Sequence, residues 1–301
     1  MDNLRAALFM TLSMAAFAVE DALLKGIATM IPTGQALMLL GLFGALSYWA
    51  LLARRGQPMF TRALLGRAAI LRNLGELFGT LGYVLAFTLG DLSTASALLQ
   101  AVPLAVVLGA ALFLGETVGW RRWSAVGFGF AGVMIVLRPG IGGADAAALF
   151  ALLGVAGLAM RDLATRRIPP GVPSLQLSAS AFTVVIPAGA LMMIFAGDTP
   201  VMPSPFVWAG LAATLVVGMT GYSLIVAATR LGEMSVIAPF RYARILFALI
   251  LATIFFGERP DAMTYLGAGI IVGSGLYAFW REQRLRRRAA RAASLQAQPT
   301  L

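Results

Sequence analysis

Leu89-Gly90-Asp91-Leu92-Ser93 and Leu231-Gly232-Glu233-Met234-Ser235 stand 142 residues apart and read as two copies of one turn. The same offset sets Ala101 on Ala243, Leu104 on Leu246, Phe113 on Phe255, Gly115-Glu116 on Gly257-Glu258 and Gly127 on Gly269. Gly82-Tyr83 meets Gly221-Tyr222 at an offset of 139, as one small loop insertion produces. Isolated Gly and Leu matches are common in apolar sequence, but ordered blocks with matching acids are the mark of an internal duplication.

What is duplicated follows from composition. Of the 301 residues, 59% are hydrophobic and 12% charged, and mean hydropathy is +0.85, whereas soluble domains are about a quarter charged. Such a chain cannot cover itself with a water-compatible surface. A helix crossing lipid needs about 20 mainly apolar residues. Ten such spans can be read, at residues 5–27, 34–53, 67–89, 92–114, 120–138, 145–166, 174–196, 206–229, 234–256 and 262–280. Turn and charge chemistry separates them, as at Arg54-Arg55-Gly56-Gln57-Pro58 and Gly257-Glu258-Arg259-Pro260. The predicted fold is an all-α integral membrane protein of ten transmembrane helices. Five spans per copy is an odd number, so the second copy enters the membrane upside down. The expected organisation is a first repeat over 1–141, an inverted second repeat over 142–282, and a basic cytoplasmic tail over 283–301, expected to be disordered.

The net charge of +10 would suggest nucleic acid in a soluble protein, but here the cations lie between spans. With the N-terminus inside, seventeen of them fall on cytoplasmic stretches, including Arg54, Arg55, Arg161, Arg166, Arg167 and six tail arginines from Arg281 to Arg291. Lys25, Arg138 and Arg259 alone fall outside. That asymmetry predicts cytoplasmic termini and no nucleic-acid partner. Trp49, Trp120, Trp123 and Trp280 at cytoplasmic span ends, with Trp208 at an outer one, form an expected interfacial belt.

The chain has no Cys and no His, which removes thiolate and imidazole metal sites and every Ser-His or Cys-His triad. No catalytic residue, metal or cofactor is expected, and a membrane enzyme or lipid-binding scaffold finds no motif in its favour. Gly127-Phe128-Gly129-Phe130-Ala131-Gly132 matches G-x-G-x-x-G but follows no strand. Its glycines, with Gly75/Gly79 and Gly269/Gly273, are read as points of close helix approach. No phosphate-binding loop is present, so this chain is not expected to hydrolyse ATP.

Ionisable residues inside spans are costly and point to function. Asp21 and Lys25 share a helix face and are expected to pair, with Glu20 beside them. On the third span Arg72 and Glu76 are placed to neutralise each other, and Asn73, Thr80 and Tyr83 extend the polar stripe that is read as cavity wall. On the ninth, Arg244 is placed to hold a substrate carboxylate or to neutralise Glu76 or Asp162, while Tyr242 matches Gln100 across the repeat. Met160, Tyr222 and Tyr242 supply apolar and aromatic surface. The candidate substrate-binding or cavity-lining set is thus Glu20, Asn73, Glu76, Thr80, Tyr83, Gln100, Met160, Tyr222, Tyr242 and Arg244. Glu116 and Glu258, closing matching spans, are read as loop or helix-cap residues.

Leu114-Gly115-Glu116, Phe256-Gly257-Glu258-Arg259-Pro260, Pro103 and the Gly-rich fifth and tenth spans resemble the drug/metabolite transporter superfamily, in its ten-helix EamA-type branch. Within that branch the chain is similar to YddG-like exporters of aromatic and other neutral amino acids. The resemblance implies a basket of helices around a central cavity, a bacterial inner-membrane location, membrane lipid and a small-molecule substrate as partners, and a monomer or loose dimer. It implies a secondary transporter exporting amino acids or similar small metabolites by alternating access. The alternative substrate is cofactor-like, riboflavin or S-adenosylmethionine. Arg244 and Ile245 stand where the first copy has Val102 and Pro103, a departure that bears on substrate rather than fold. Proton coupling through Glu20, Asp21 or Glu76 and facilitated diffusion fit the residues equally.

Overall fold

In lipid the backbone must satisfy its own hydrogen bonds, and helices do so within one segment. The computed structural model describes residues 2–115, 119–138, 146–169, 171–231 and 237–296, and every regular element among them is helical. The helices are α1 (Asp2–Ile27), α2 (Thr33–Arg54), α3 (Arg67–Leu89), α4 (Leu92–Leu99), α5 (Val102–Phe113) and α6 (Trp120–Leu137) in the first half. The second half holds α7 (Ala146–Thr165), α8 (Ser174–Ala196), α9 (Pro205–Leu231), α10 (Ala243–Phe256) and α11 (Ala262–Gln296). Short 3-10 turns at Arg62–Leu65 and Ala238–Tyr242 precede α3 and α10. Glu116 and the block 232–236 lie outside the described residues. The last helix continues through the basic residues to Gln296, so the tail expected to be disordered is helical over that range.

Eight segments are long and apolar enough to cross a bilayer, counting α4 with α5 and the second 3-10 turn with α10. Arg72, Asn73 and Glu76 interrupt the apolar run of α3, and the apolar part of α6, Trp123–Leu137, is shorter. Both lie along full-length spans, α3 on α7 and α6 on α11, and so complete the set of ten. Phe113, Phe128, Ile194, Phe195, Ile254 and Phe255 are exposed, an arrangement lipid rewards and water does not. Trp49, Trp120, Trp123 and Trp280 are exposed as well.

Each helix finds its main neighbour in the other half. Besides α3 with α7 and α6 with α11, α1 lies on α9, α2 on α8 and α4 on α10. An inverted two-fold exchanges these pairs among themselves: the first span on the eighth is equivalent to the sixth on the third. Two glutamines show the same symmetry in detail. The Gln35 amide, at the start of α2, donates to the Val201 carbonyl at 2.6 Å and accepts from the Val201 N–H at 2.9 Å. Gln176, at the start of α8, donates to the Pro58 carbonyl at 2.8 Å. Each therefore pins the loop that follows the other's helix.

Close approach explains the glycines. A Cβ on Gly34 would stand 2.4 Å from the Gly189 carbonyl oxygen, and one on Gly157 would stand 2.3 Å from the Gly79 nitrogen. Gly75 and Gly82 make equivalent contacts with α7, and Gly132 meets Gly267 backbone to backbone. Gly127, Gly269 and Gly273 were expected in this role but face no neighbour within 4 Å; Gly132 on α6 and Gly267, on another face of α11, take it instead. Gly115 and Gly257, repeat mates, both follow their helices in the left-handed region, at φ 67° and 64°.

The fourth and ninth spans are both broken. Pro103 has no N–H to give the carbonyl four residues back, and the chain passes through Gln100 and Ala101 between α4 and α5. In the second half Pro239 sits in the 3-10 turn and α10 begins at Ala243, the repeat mate of Ala101. Gln100 Nε2 donates to the Tyr242 carbonyl at 3.1 Å across a separation of 142 residues. Repeat mates touch only near the axis that relates them, so the two breaks mark the centre of the molecule.

Replacing Gly157 with Leu should overpack the α3/α7 contact by at least about 1–3 kcal/mol and lower the melting temperature of the detergent-solubilised protein. Gly269→Leu should melt within a degree or two of the parent protein. Equal losses in both variants would show that backbone approach is not what Gly157 provides.

Candidate functional site

Three polar layers run through the helix bundle. The first is at the Lys25 end. Glu258, just beyond α10, accepts from Lys25 Nζ at 2.7 Å, from the Leu92 and Ser93 N–H groups at 2.8 and 2.9 Å, and from Ser93 Oγ at 2.6 Å. It thereby caps α4 of the other half, where the free N–H groups and helix dipole favour an anion. Lys25 also donates to the Gly90 carbonyl at 2.7 Å. Burial opposes ionisation of Glu258, but the hydrogen bonds from Lys25, Ser93 and the two amides outweigh it and hold the carboxyl below its ordinary value. The sequence reading of Glu258 as a cap thus matches its contacts. Nearby, the Arg138 guanidinium pairs with Asp261 between α6 and α11, and Asp261 also accepts from the Thr264 N–H at 2.9 Å. Those bonds lower the Asp261 carboxyl.

One to two turns deeper, Asp21 is buried on α1. Its Oδ2 accepts from Tyr83 Oη on α3 at 2.9 Å and from Arg244 on α10, with Nη2 at 2.7 Å and Nε at 3.3 Å. Ser96 Oγ on α4 lies 3.2 Å from the same tyrosine hydroxyl. The Arg244 guanidinium stands 5.4 Å from the Phe17 ring and 5.3 Å from that of Tyr83. Two expectations are corrected here. Asp21 and Lys25 do not pair with each other; each reaches a residue of the second half that a single-helix argument cannot see. Arg244 neutralises neither Glu76 nor Asp162, because α10 presents it to α1.

Glu20 points away from this layer, onto α9. A Cβ on Gly218 would lie 2.4 Å from its Oε1, so the carboxylate rests against bare backbone. No cation pairs with it among the described residues. Gln100 and Tyr242 lie on the central axis, and the Tyr242 hydroxyl fills the space left by Gly275.

The third layer lies toward the opposite end. Glu76 pairs with Arg72 at 3.5 Å, as expected from their spacing, and with Arg161 of α7 at 3.4 Å. Arg161 also holds Asp162 at 2.9 Å, so it is an internal counter-ion and not the loop cation the charge count made it. Asn73 accepts from Arg72 at 3.1 Å and from Ser180 Oγ on α8 at 2.9 Å. Tyr222 meets Tyr48 edge-on at 6.2 Å, and Tyr48 packs on Phe182 at 5.4 Å. Thr80 and Met160 are half-buried on α3 and α7. The structure therefore draws Tyr83 and Arg244 into one cluster and Asn73 and Glu76 into another. Gln100 and Tyr242 lie between. Sequence reasoning missed Ser96, Arg161 and Ser180, none of which is distinguishable locally from packing or loop residues.

Ten spans in two inverted halves, with broken helices meeting at the centre and carboxylates and arginines held between halves, define a secondary membrane transporter. The chain belongs to the EamA-like transporter family, whose model matches residues 4–138 and 145–280. It is similar to an S-adenosylmethionine uptake transporter of Rickettsia prowazekii, 27% identical over 218 residues, 71% of this chain and 72% of that protein. It is similar also to a riboflavin transporter of Rhizobium johnstonii, 30% identical over 199 residues, 65% of this chain and 64% of that one. A pseudopaline exporter of Pseudomonas aeruginosa is 27% identical over 270 residues, 85% of this chain and 89% of that one. A solved crystal structure superposes with a TM-score of 0.58 at 20% identity, covering 93% of this chain and 98% of the other, which supports the fold. The protein is accordingly a multi-pass transporter of small metabolites and not an enzyme, and its bacterial relatives place it in the inner membrane.

Glu258→Gln should lower stability at neutral pH by about 1 kcal/mol, the value of charge-assisted bonds discounted for partial solvent access. Because the folded-state carboxyl is lowered, the wild-type advantage is full above about pH 4.5 and fades as pH falls through the folded value. Melting temperatures of the two proteins, measured from pH 7 downward, should converge in acid. Parallel curves would assign Glu258 no ionic role.

Proposed function

We propose that the protein carries a small metabolite bearing a cationic amino-acid-like group, of the S-adenosylmethionine or neutral amino-acid kind, by alternating access. The observation that carries this reading is Glu20, a carboxyl at mid-span against Gly218 with no described cation within salt-bridge distance. In the layer it adjoins, Arg244 is directed to Asp21, so Glu20 receives no hydrogen bond from it. The opposite layer balances, with Arg72 and Arg161 against Glu76 and Asp162. An unpaired charge within a membrane costs several kcal/mol, and a substrate ammonium or sulfonium arriving beside Glu20 offsets that cost. Arg244 gives only part of its five-donor fork to Asp21, so it can also take a substrate carboxylate. The aromatic faces of Phe17 and Tyr83 flank it.

Relatives that carry S-adenosylmethionine support the same chemistry, since that molecule has both an α-amino-carboxylate and a sulfonium. Riboflavin, carried by other relatives, has no such cation and fits Glu20 less well. Asn73, Glu76, Thr80, Met160, Tyr222 and Tyr242 serve in this reading as the wall of the path between the central site and the face opposite Lys25, which the positive-inside count makes cytoplasmic. The two repeats, 1–141 and 142–282, serve in this reading as inversely equivalent copies whose exchange of conformation opens one face and then the other.

Counterflow tests the proposal. Proteoliposomes preloaded with unlabelled S-adenosylmethionine, or with a neutral amino-acid mixture, should take up trace labelled S-adenosylmethionine, phenylalanine or methionine above empty liposomes. Glu20→Gln should cut that entry about tenfold, the loss of one charge-assisted contact. Entry of riboflavin alone, or full entry of the cationic substrates in Glu20→Gln, would overturn the assignment.

A further inference from the structure

The repeat can be followed further into the halves than the turn blocks alone allow. A shift of 141 residues sets Asp21 on Asp162, Lys25 on Arg166 and Gln35 on Gln176, and a shift of 139 sets Tyr83 on Tyr222. The two glutamines do equivalent work, each pinning the loop after the other's helix. The two Asp/Tyr pairs do not. Tyr83 donates to Asp21 at 2.9 Å, whereas no hydrogen bond joins Tyr222 to Asp162 among the described residues. The Asp21 side chain is 9% exposed and that of Asp162 29%. Tyr83 is buried, while Tyr222 is half-buried and turns its ring to Tyr48.

Inverted symmetry exchanges the two membrane faces, so a bond made at one face and broken at its mate records which face is closed. At the Lys25 end the Asp21 and Glu258 layers close the bundle across four helices. At the other end the corresponding partners stand apart, with Asp162 held by its neighbour Arg161. Tyr222 packs with Tyr48 and Phe182 of α8, and Asp162 belongs to the Arg161/Glu76/Arg72 network that Asn73 ties to Ser180 of α8, so both adjoin α8 at that end. We infer that Tyr222 and Asp162 are the second gate: Tyr222 donates to Asp162 when the Lys25 end opens, and the Tyr83 bond to Asp21 breaks in the same transition. The two bonds then compete, each belonging to one state only, and their balance sets the populations. The inference rests on the transporter reading above but not on the identity of the substrate.

Absence of native cysteine permits a direct test in lipid nanodiscs, which leave both faces open to reagent. Ala95→Cys, on α4 between the Glu258 and Asp21 layers and 2% exposed as alanine, is labelled by a maleimide only when the Lys25 end opens, so its rate follows the population of that state. On this background Tyr83→Phe should raise the rate about fivefold, the shift that loss of one hydrogen bond from one state produces. Tyr222→Phe and Asp162→Asn should each lower it by a similar factor, and Tyr83→Phe/Tyr222→Phe should return it near the starting value. An unchanged or faster rate in both Tyr222→Phe and Asp162→Asn would overturn the proposal, as would no acceleration in Tyr83→Phe. Since labelling needs no substrate, its failure is distinguishable from failure of the counterflow assay.

Discussion

A carboxylate in the interior of a membrane is tolerated only where donors surround it, and Asp21 gathers donors from two other helices. Tyr83 comes from α3, Arg244 from α10 across the repeat boundary, and Ser96 of α4 engages the tyrosine from behind. The cluster fixes the side-to-side register of four spans, because a shift of any one would leave a charge or hydroxyl without its partner. It also explains why Arg244 can stand where the first repeat has an apolar valine. Toward the nearer face the Glu258 cap repeats the arrangement, again joining the halves, and the two layers together shut one end of the bundle.

Elsewhere the halves meet through small residues. Between α2 and α8, α3 and α7, and α6 and α11, glycines bring backbone within reach of backbone, and such contacts resist bulk rather than motion. The polar layers have direction and discrete partners; the glycine seams do not. That contrast suits a carrier, in which a few specific bonds decide which end is closed while the helices that carry them remain paired. The broken spans belong to the same design, since Gln100 and Tyr242 meet on the axis and mark the level at which a central substrate is equidistant from both faces.

Charge is distributed unevenly between the layers. The one near Asn73 and Glu76 is self-neutral and spread over α3, α7 and α8. Beside the central one, Glu20 rests on the Gly218 backbone with no described cation within salt-bridge distance. A protein that needed only stability would bury neither, since paired charges in a low-dielectric interior rarely repay their desolvation. In the proposed reading, the cationic group of the substrate is what Glu20 meets.

The sequence by itself determined the class of fold. A 3.6-residue period is not needed to read it: apolar runs long enough to cross lipid, broken by Gly, Pro and Arg, leave helices as the only solution, and matching turns 142 residues apart supply the inverted repeat. The glycine turns at Gly115 and Gly257 and the Arg72/Glu76 pair were legible for the same reason, because each depends on residues close in the chain. Partners across the bundle were not. Asp21 and Lys25 satisfy every local rule for an i,i+4 pair, yet each finds a stronger partner on α10 or just beyond it, and only the packing of α1 between the halves brings Arg244 and Glu258 there. Likewise Gly269 and Gly273 have the spacing of a packing motif, but which face of α11 meets α6 is set by how the whole basket closes. Sequence spacing encodes neighbours on one helix; the choice between equally suitable faces and counter-ions is made by tertiary contacts, where burial decides which charges must be matched.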